Sequence, residues 1–260
     1  MPVTQINPKK QSVREQVSKE EWDARVNLAA CYRLMHEFGM TEMIANHISA
    51  RVPGTDNQFL INAYGMLYEE MTASSMIKID IDGKIIFNAT DYGINQAGYV
   101  IHSAVHAARH DVDCVIHTHT LAGMAVSAME CGLMSNIAQS GMRFGDVAYH
   151  DYEGPALNLE ERERLVKDLG DRDAMILRNH GLLTTGPSIP ECFNNHFRLE
   201  RTCQLQVMTL QCNTKLSLAD GKVLTDTHAG FKPGVRRRWG IVEWPALLRK
   251  LDRIDPSYRD

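Results

Sequence analysis

The sequence predicts a single α/β domain, and three observations carry that reading. Segments of strand character alternate with amphipathic helices between residues 20 and 212, the pattern of helix and sheet layers on one core. No internal repeat, low-complexity block or linker interrupts that range. The 260 residues are 44% hydrophobic and 23% charged, an ordinary globular balance that allows a core without disulfide staples. At about 150 residues per domain the length allows one or two domains, and the continuous alternation favours one. Residues 1–18 read as a flexible or loosely docked arm, 19–212 as the domain and 213–260 as a C-terminal extension.

The elements follow in order. Ser18 and Glu21 offer a capping box. Trp22, Val26, Leu28, Ala29, Tyr32, Leu34, Met35 and Phe38 then recur at helical spacing, and Gly39 closes the run. Ile48 to Val52 and Phe59 to Ala63 read as strands. Ile77 to Ile81 and Lys84 to Phe87 flank Asp82-Gly83, a dipeptide suited to a type I′ hairpin turn. A helix is expected from Gly98 to Arg109, with Val100, Ile101, Ala104, Val105 and Ala108 on its apolar side. A strand at Cys114–Thr118, a helix at about Leu121–Met129 and a strand around Asp146–Tyr149 come next. Glu160 to Leu169 is an amphipathic helix, Ala174 to Leu177 a buried strand and Leu182 to Thr185 a short one. Pro190 suits the start of a long helix reaching about Gln211. Trp244 to Leu251 is a further amphipathic segment.

Composition narrows the function. Lys plus Arg is 28 against 32 for Asp plus Glu, a formal net charge of -4, which argues against a basic nucleic-acid binder and against an acidic disordered tail. Arg236–Arg238 is too short a run for a nucleic-acid footprint and reads as a solvated face. No apolar run approaches the roughly 20 residues of a membrane span. The polar N-terminus lacks a signal peptide's apolar stretch. The expectation is therefore a cytoplasmic protein with neither a nucleic-acid nor a membrane partner. The cysteines at 31, 114, 131, 192, 203 and 212 are scattered without a CxxC, as reduced thiols are. The 13 methionines read as core filler.

The chemistry concentrates in Cys114-Val115-Ile116-His117-Thr118-His119-Thr120. Side chains alternate along a strand, so His117 and His119 share a face about 7 Å apart along the chain. Two such imidazoles can close on one metal ion; the plainer alternative is a pair that caps a strand by hydrogen bonding. His180, in Arg178-Asn179-His180-Gly181, follows a buried strand at a point where Gly181 permits a sharp turn. Three histidines with an open fourth position suit a catalytic zinc site, and all-nitrogen ligation also accepts Fe(II), Mn(II) or Co(II).

His117-Thr118-His119 and Asn179-His180-Gly181 resemble the metal ligands of the class II aldolase/adducin family. ANHISARVPG at 45–54 and LINAYGMLYEEMTASSMIKIDIDGK at 60–84 match further family segments in order. The run from Asn95 to Leu133 and GDVAYHDYEG at 145–154 are similar to its adducin-like branch. The resemblance spans about residues 20–212. It implies an α/β/α sandwich around a central, largely antiparallel sheet. It also implies a homotetramer with metal sites near subunit boundaries and a small-molecule substrate.

The same resemblance exposes departures. In the family's sugar-phosphate aldolases a Glu nineteen residues before the first metal His is the general base; here that position is Gly98. Gln96 could hold water or a substrate carboxylate but is no base. The family's Thr-Gly pair falls on Tyr64-Gly65 and its Ser-Ser pair on Gln96-Ala97, so the hydroxyls of a phosphate cradle are missing. A non-phosphorylated carboxylate or aromatic acid suits these changes better.

Asn46 and His47 fall on the matching substrate loop, as a hydrogen-bond donor and as a carboxylate-binding or acid group; an Asn-stabilised turn is the alternative. Tyr152 falls near the aldolases' proton-donating Tyr; a Tyr hydroxyl satisfying a loop is the alternative. His102, His106 and His110 share one helical face and are expected to be partly exposed. His196 and Glu200 share a face of the long helix and read as supporting or interface groups. The expected activity is metal-dependent C–C cleavage, by retro-aldol reaction or decarboxylation. A non-haem Fe(II) oxygenase and a non-catalytic adducin-like binding module stand as alternatives.

Overall fold

The computed structural model describes residues 11–154, 160–232, 234–235 and 237–260. Residues 1–10 of the expected arm and Arg236 lie outside them. The helices are α1 (Val13–Gln16), α2 (Lys19–Glu37), α3 (Gln96–Ala108), α4 (Leu121–Ser127), α5 (Gln139–Met142), α6 (Glu161–Leu169), α7 (Ile189–Gln211), α8 (Gly221–Ala229) and α9 (Trp244–Ile254). The strands are β1 (His47–Arg51), β2 (Gln58–Ile61), β3 (Ile77–Asp80), β4 (Ile85–Phe87), β5 (Cys114–Thr118), β6 (Ala148–His150), β7 (Ala174–Leu177) and β8 (Gly181–Gly186).

The eight strands form one sheet in the order β4-β3-β2-β1-β5-β8-β7-β6. Every neighbouring pair is antiparallel except β6 with β7. The central strands are buried on both faces, as their apolar sequences require. Along β5 the residues alternate: Cys114 and Ile116 pack in one cluster with α2, α7 and α9, and Val115 in another with α3 and α6. This is the helix–sheet–helix layering that the resemblance implies.

Local chemistry sets the helix ends. Ser18 accepts the Glu21 N–H at the start of α2, and Ser188 accepts the Glu191 N–H at the start of α7. The end of α2 is a Schellman motif: Gly39 N–H donates to the His36 carbonyl and Met40 N–H to the Met35 carbonyl. Val13 of α1 packs with Trp22 and Ala73, and Trp244 and Leu251 of α9 join the α2–α7 core.

Three local readings are corrected. The β3–β4 turn is not type I′: only Gly83 has positive φ, +85°, whereas type I′ needs it at both central residues. The Gly83 N–H instead bonds the Asp80 carbonyl, and Asp80 N–H bonds the Lys84 carbonyl across a wider loop. Asn179, with φ +55°, makes the left-handed turn before β8. Gly181 is needed for a different reason, because a Cβ there would collide with the Thr118 carbonyl of the adjacent strand. The histidine face of α3 is not partly exposed: His102 and His106 are fully buried against the sheet, and only His110, beyond the helix end, is exposed. Both rings have polar partners on β1, which offsets part of the cost of burying them, although His106 Nδ1 has no partner among the described residues.

Candidate metal centre

The sheet register builds the centre. β1 and β5 pair with His47 opposite His117, and β5 and β8 pair with Thr118 opposite Leu182. His117 lies near the end of β5 and is fully buried; His119 follows the strand; His180 is in the β7–β8 turn. The turn is closed by His180 N–H donating to the Leu177 carbonyl. One ligand atom from each of the three imidazoles falls within 4.8 Å of the others.

Hydrogen bonding decides which atoms converge. His117 Nδ1 donates to the Leu182 carbonyl at 2.9 Å, and a carbonyl can only accept. Burial holds His117 well below the ordinary histidine range, so the ring is neutral and its Nε2 carries a lone pair. His119 Nδ1 faces the Glu42 carboxylate at 2.7 Å, which likewise leaves Nε2 as the lone-pair atom. These two Nε2 atoms are 2.8 Å apart, and His119 Nε2 is 2.9 Å from His180 Nε2. Facing lone pairs repel at such distances unless a cation or a proton lies between them. Burial lowers the His180 pKa to about 4, so its ring is neutral at neutral pH, and its Nδ1–H tautomer turns a third Nε2 lone pair toward the other two. The donor set therefore fits a divalent metal.

The other face of the His-Thr-His-Thr segment is held by α7. Thr118 Oγ1 bonds His196 Nε2 at 2.8 Å, and His196 Nδ1 bonds Thr184 Oγ1 at 2.9 Å. Thr120 donates to buried Glu200, whose pKa burial raises. Strand alternation thus sends the histidines to one side and their threonine anchors to the other. His196 and Glu200 are supporting groups.

His47 is the first residue of β1 rather than part of the preceding loop. Its ring centroid is 4.9 Å from that of His117, and its Nδ1 is 2.8 Å from His102 Nε2. His102 Nδ1 in turn contacts Ser49 Oγ, which contacts His106 Nε2 at 2.8 Å. Burial, followed by the neighbouring His119 and His180, lowers the His47 pKa to about 3. Asn46 is fully buried; its Oδ1 accepts the His119 backbone N–H at 2.8 Å, and its Nδ2 has no partner among the described residues. Tyr152 is 54% exposed with its ring 5.9 Å from that of His180.

The remaining expected residues sit elsewhere. Tyr64 bridges to Gly93, Gly65 packs against the Tyr92 ring, and Gln96 is exposed at the first position of α3. The link from α3 to the centre is Gly98, whose missing Cβ leaves room for the His47 ring. Sequence reasoning missed Glu42 and the His102–Ser49–His106 chain. An acidic residue in a loop carries no periodic signal, and Ser49 meets His102 only through the fold.

Residues 26–207 match the model of the class II aldolase and adducin N-terminal domain. A crystal structure of an aldolase II superfamily protein from Pseudomonas syringae is 50% identical, covers 96% of this chain and all of its own, and superposes with a TM-score of 0.89. The L-fuculose 1-phosphate aldolase of Glaciozyma antarctica PI12 is 25% identical over 98% of this chain and 97% of its own, with a TM-score of 0.81. Mouse alpha-adducin is 41% identical over 268 residues, which are 97% of this chain and 36% of the adducin. With its fold, its histidine cluster and this similarity along its length, the chain belongs to the class II aldolase and adducin family.

Proposed function

We propose that the protein is a metal-dependent lyase that cleaves a C–C bond of a small, non-phosphorylated oxo, hydroxy or aromatic carboxylate. The convergence of the His117, His119 and His180 Nε2 atoms carries this reading. A divalent ion held there, zinc first with Fe(II), Mn(II) or Co(II) as alternatives, would polarise a carbonyl or carboxylate oxygen as a Lewis acid.

The chain's own residues supply the rest. Asn46 offers its unpartnered amide N–H to a substrate oxygen. His47, neutral at physiological pH, orients the substrate by hydrogen bonding, its own ring held by His102. Position 98 carries no carboxylate to remove a proton from carbon at the outset, which favours decarboxylation over the aldol route. As the C–CO₂ bond breaks, the electron pair stays on carbon, and the Tyr152 phenol delivers the proton; its exposure lets water restore it. Tyr64, Gly65 and Gln96 form an outer substrate surface in this reading, without the hydroxyls of a phosphate cradle.

The protein is read as a cytoplasmic homotetramer. Met43 and Leu121, 76% and 85% exposed and close in sequence to Glu42 and His119, are apolar side chains that a neighbouring subunit would cover. The adducin similarity favours a second reading, a binding module that retains the site without catalysis. Titration of the metal-loaded protein with sugar phosphates, hydroxy acids and aromatic acids tests the proposal. Carboxylates should bind and release CO₂ or an aldehyde. Tight binding of sugar phosphates alone would contradict it, and metal loading with no turnover of any of these would favour the module.

A further inference from the structure

The loop between α2 and β1 grips His119 at two points. Asn46 Oδ1 accepts its backbone N–H, and the Glu42 carboxylate lies 2.7 Å from its Nδ1. The loop reaches both points through a tight turn in which Ala45 N–H bonds the Glu42 carbonyl. Met43, inside that turn, has φ +44°, an uncommon conformation for a residue with a Cβ. Its side chain is 76% exposed, so core packing does not account for that conformation. The turn aims Glu42 at the outer nitrogen of one imidazole.

We propose that Glu42 is a positioning residue of the metal centre, holding His119 as the Nδ1–H tautomer so that Nε2 is always the ligand atom. This rests on the metal-centre reading above. His117 has a backbone carbonyl in the equivalent place, which fixes its tautomer but adds no charge. Glu42 supplies the acceptor from a side chain, which orients the His119 ring and fixes its tautomer. A carboxylate behind a metal-bound imidazole commonly accounts for about 10- to 100-fold in metal affinity.

The test uses the full chain, with zinc as the probe, competed against a chromophoric chelator. Glu42→Ala should weaken zinc binding about 10- to 100-fold. Glu42→Gln, whose amide oxygen still accepts from Nδ1–H, should recover most of the loss. Long-range ¹⁵N–¹H spectra of the metal-free protein should show His119 as the Nδ1–H tautomer in the native chain and in Glu42→Gln. Glu42→Ala should show a tautomer mixture with an unchanged thermal midpoint. Zinc affinity within two-fold of native in Glu42→Ala, with the His119 tautomer preserved, would overturn the proposal. A native chain that takes up no zinc would overturn the metal-centre reading instead, and the tautomer measurement would still decide the role of Glu42.

Discussion

A Cβ on Gly98 would stand 2.6 Å from Cδ2 of the His47 ring and 3.0 Å from its Nε2. The imidazole thus occupies the volume directly beside the position where the family's aldolases, by the sequence correspondence, carry their catalytic Glu. Gly98 and His47 are thus a packed pair, in which the room one residue leaves is filled by the other.

Gly98→Ala should accordingly destabilise the protein by about 1–3 kcal/mol, the usual range for overpacking a filled core. It should also displace His47. In Gly98→Ala/His47→Ala the clash is gone, so the double variant should lose less than the sum of the two single losses. Urea unfolding of the four proteins measures the coupling, and additive losses would separate the two residues.

Buried neutral histidines make stability depend on pH. Burial lowers the pKa of His106 and His196 to about 3, against 6.5 for the unfolded chain. Between those values the unfolded state binds more protons, so stability is present above about pH 6.5 and is lost as pH falls toward 3. Each such group adds a slope of about 1.4 kcal/mol per pH unit inside that window. Urea midpoints of the metal-free protein should fall between pH 7 and pH 5.5 and should be nearly flat from pH 7 to 8.

The contacts of α7 with the threonines predict a structural effect distinct from ligand loss. His196→Ala leaves the Thr118 and Thr184 hydroxyls without their ring partner in a buried site. The expected cost is about 1–3 kcal/mol per unsatisfied group. Thermal unfolding should drop clearly, while zinc stoichiometry in the folded protein stays that of the native chain.

Tyr152→Phe separates chemistry from stability. The side chain is largely exposed, so the unfolding midpoint should hold within about 0.5 kcal/mol. Turnover of the cleaved carboxylate should fall about 100-fold or more if the phenol delivers the proton. Steady-state kinetics would show this as a loss in kcat with little change in KM.

The contrast between what the sequence reveals and what it conceals is physical. β5 and β7 are read to the residue, because each is a short apolar run bounded by polar or turn residues, and both faces of the sheet are covered. His117, His119 and His180 are legible because alternation and a turn bring them to one strand end. His47 looks like loop because a polar residue opens its strand, and only the pairing with β5 shows otherwise. His102 and His106 look solvent-facing because a helix sequence does not show that Ser49 and His47 of β1 will meet them. Gly181 is legible as necessary but not for its reason, which is the nearness of the Thr118 backbone rather than a left-handed turn.

The most direct test of the account is the metal content of the protein purified without chelator, beside His117→Ala/His119→Ala. About one divalent ion per chain is expected in the native protein and none in the double variant, with both folded. A native protein that holds no metal, even after reloading with zinc, iron or manganese, would contradict it.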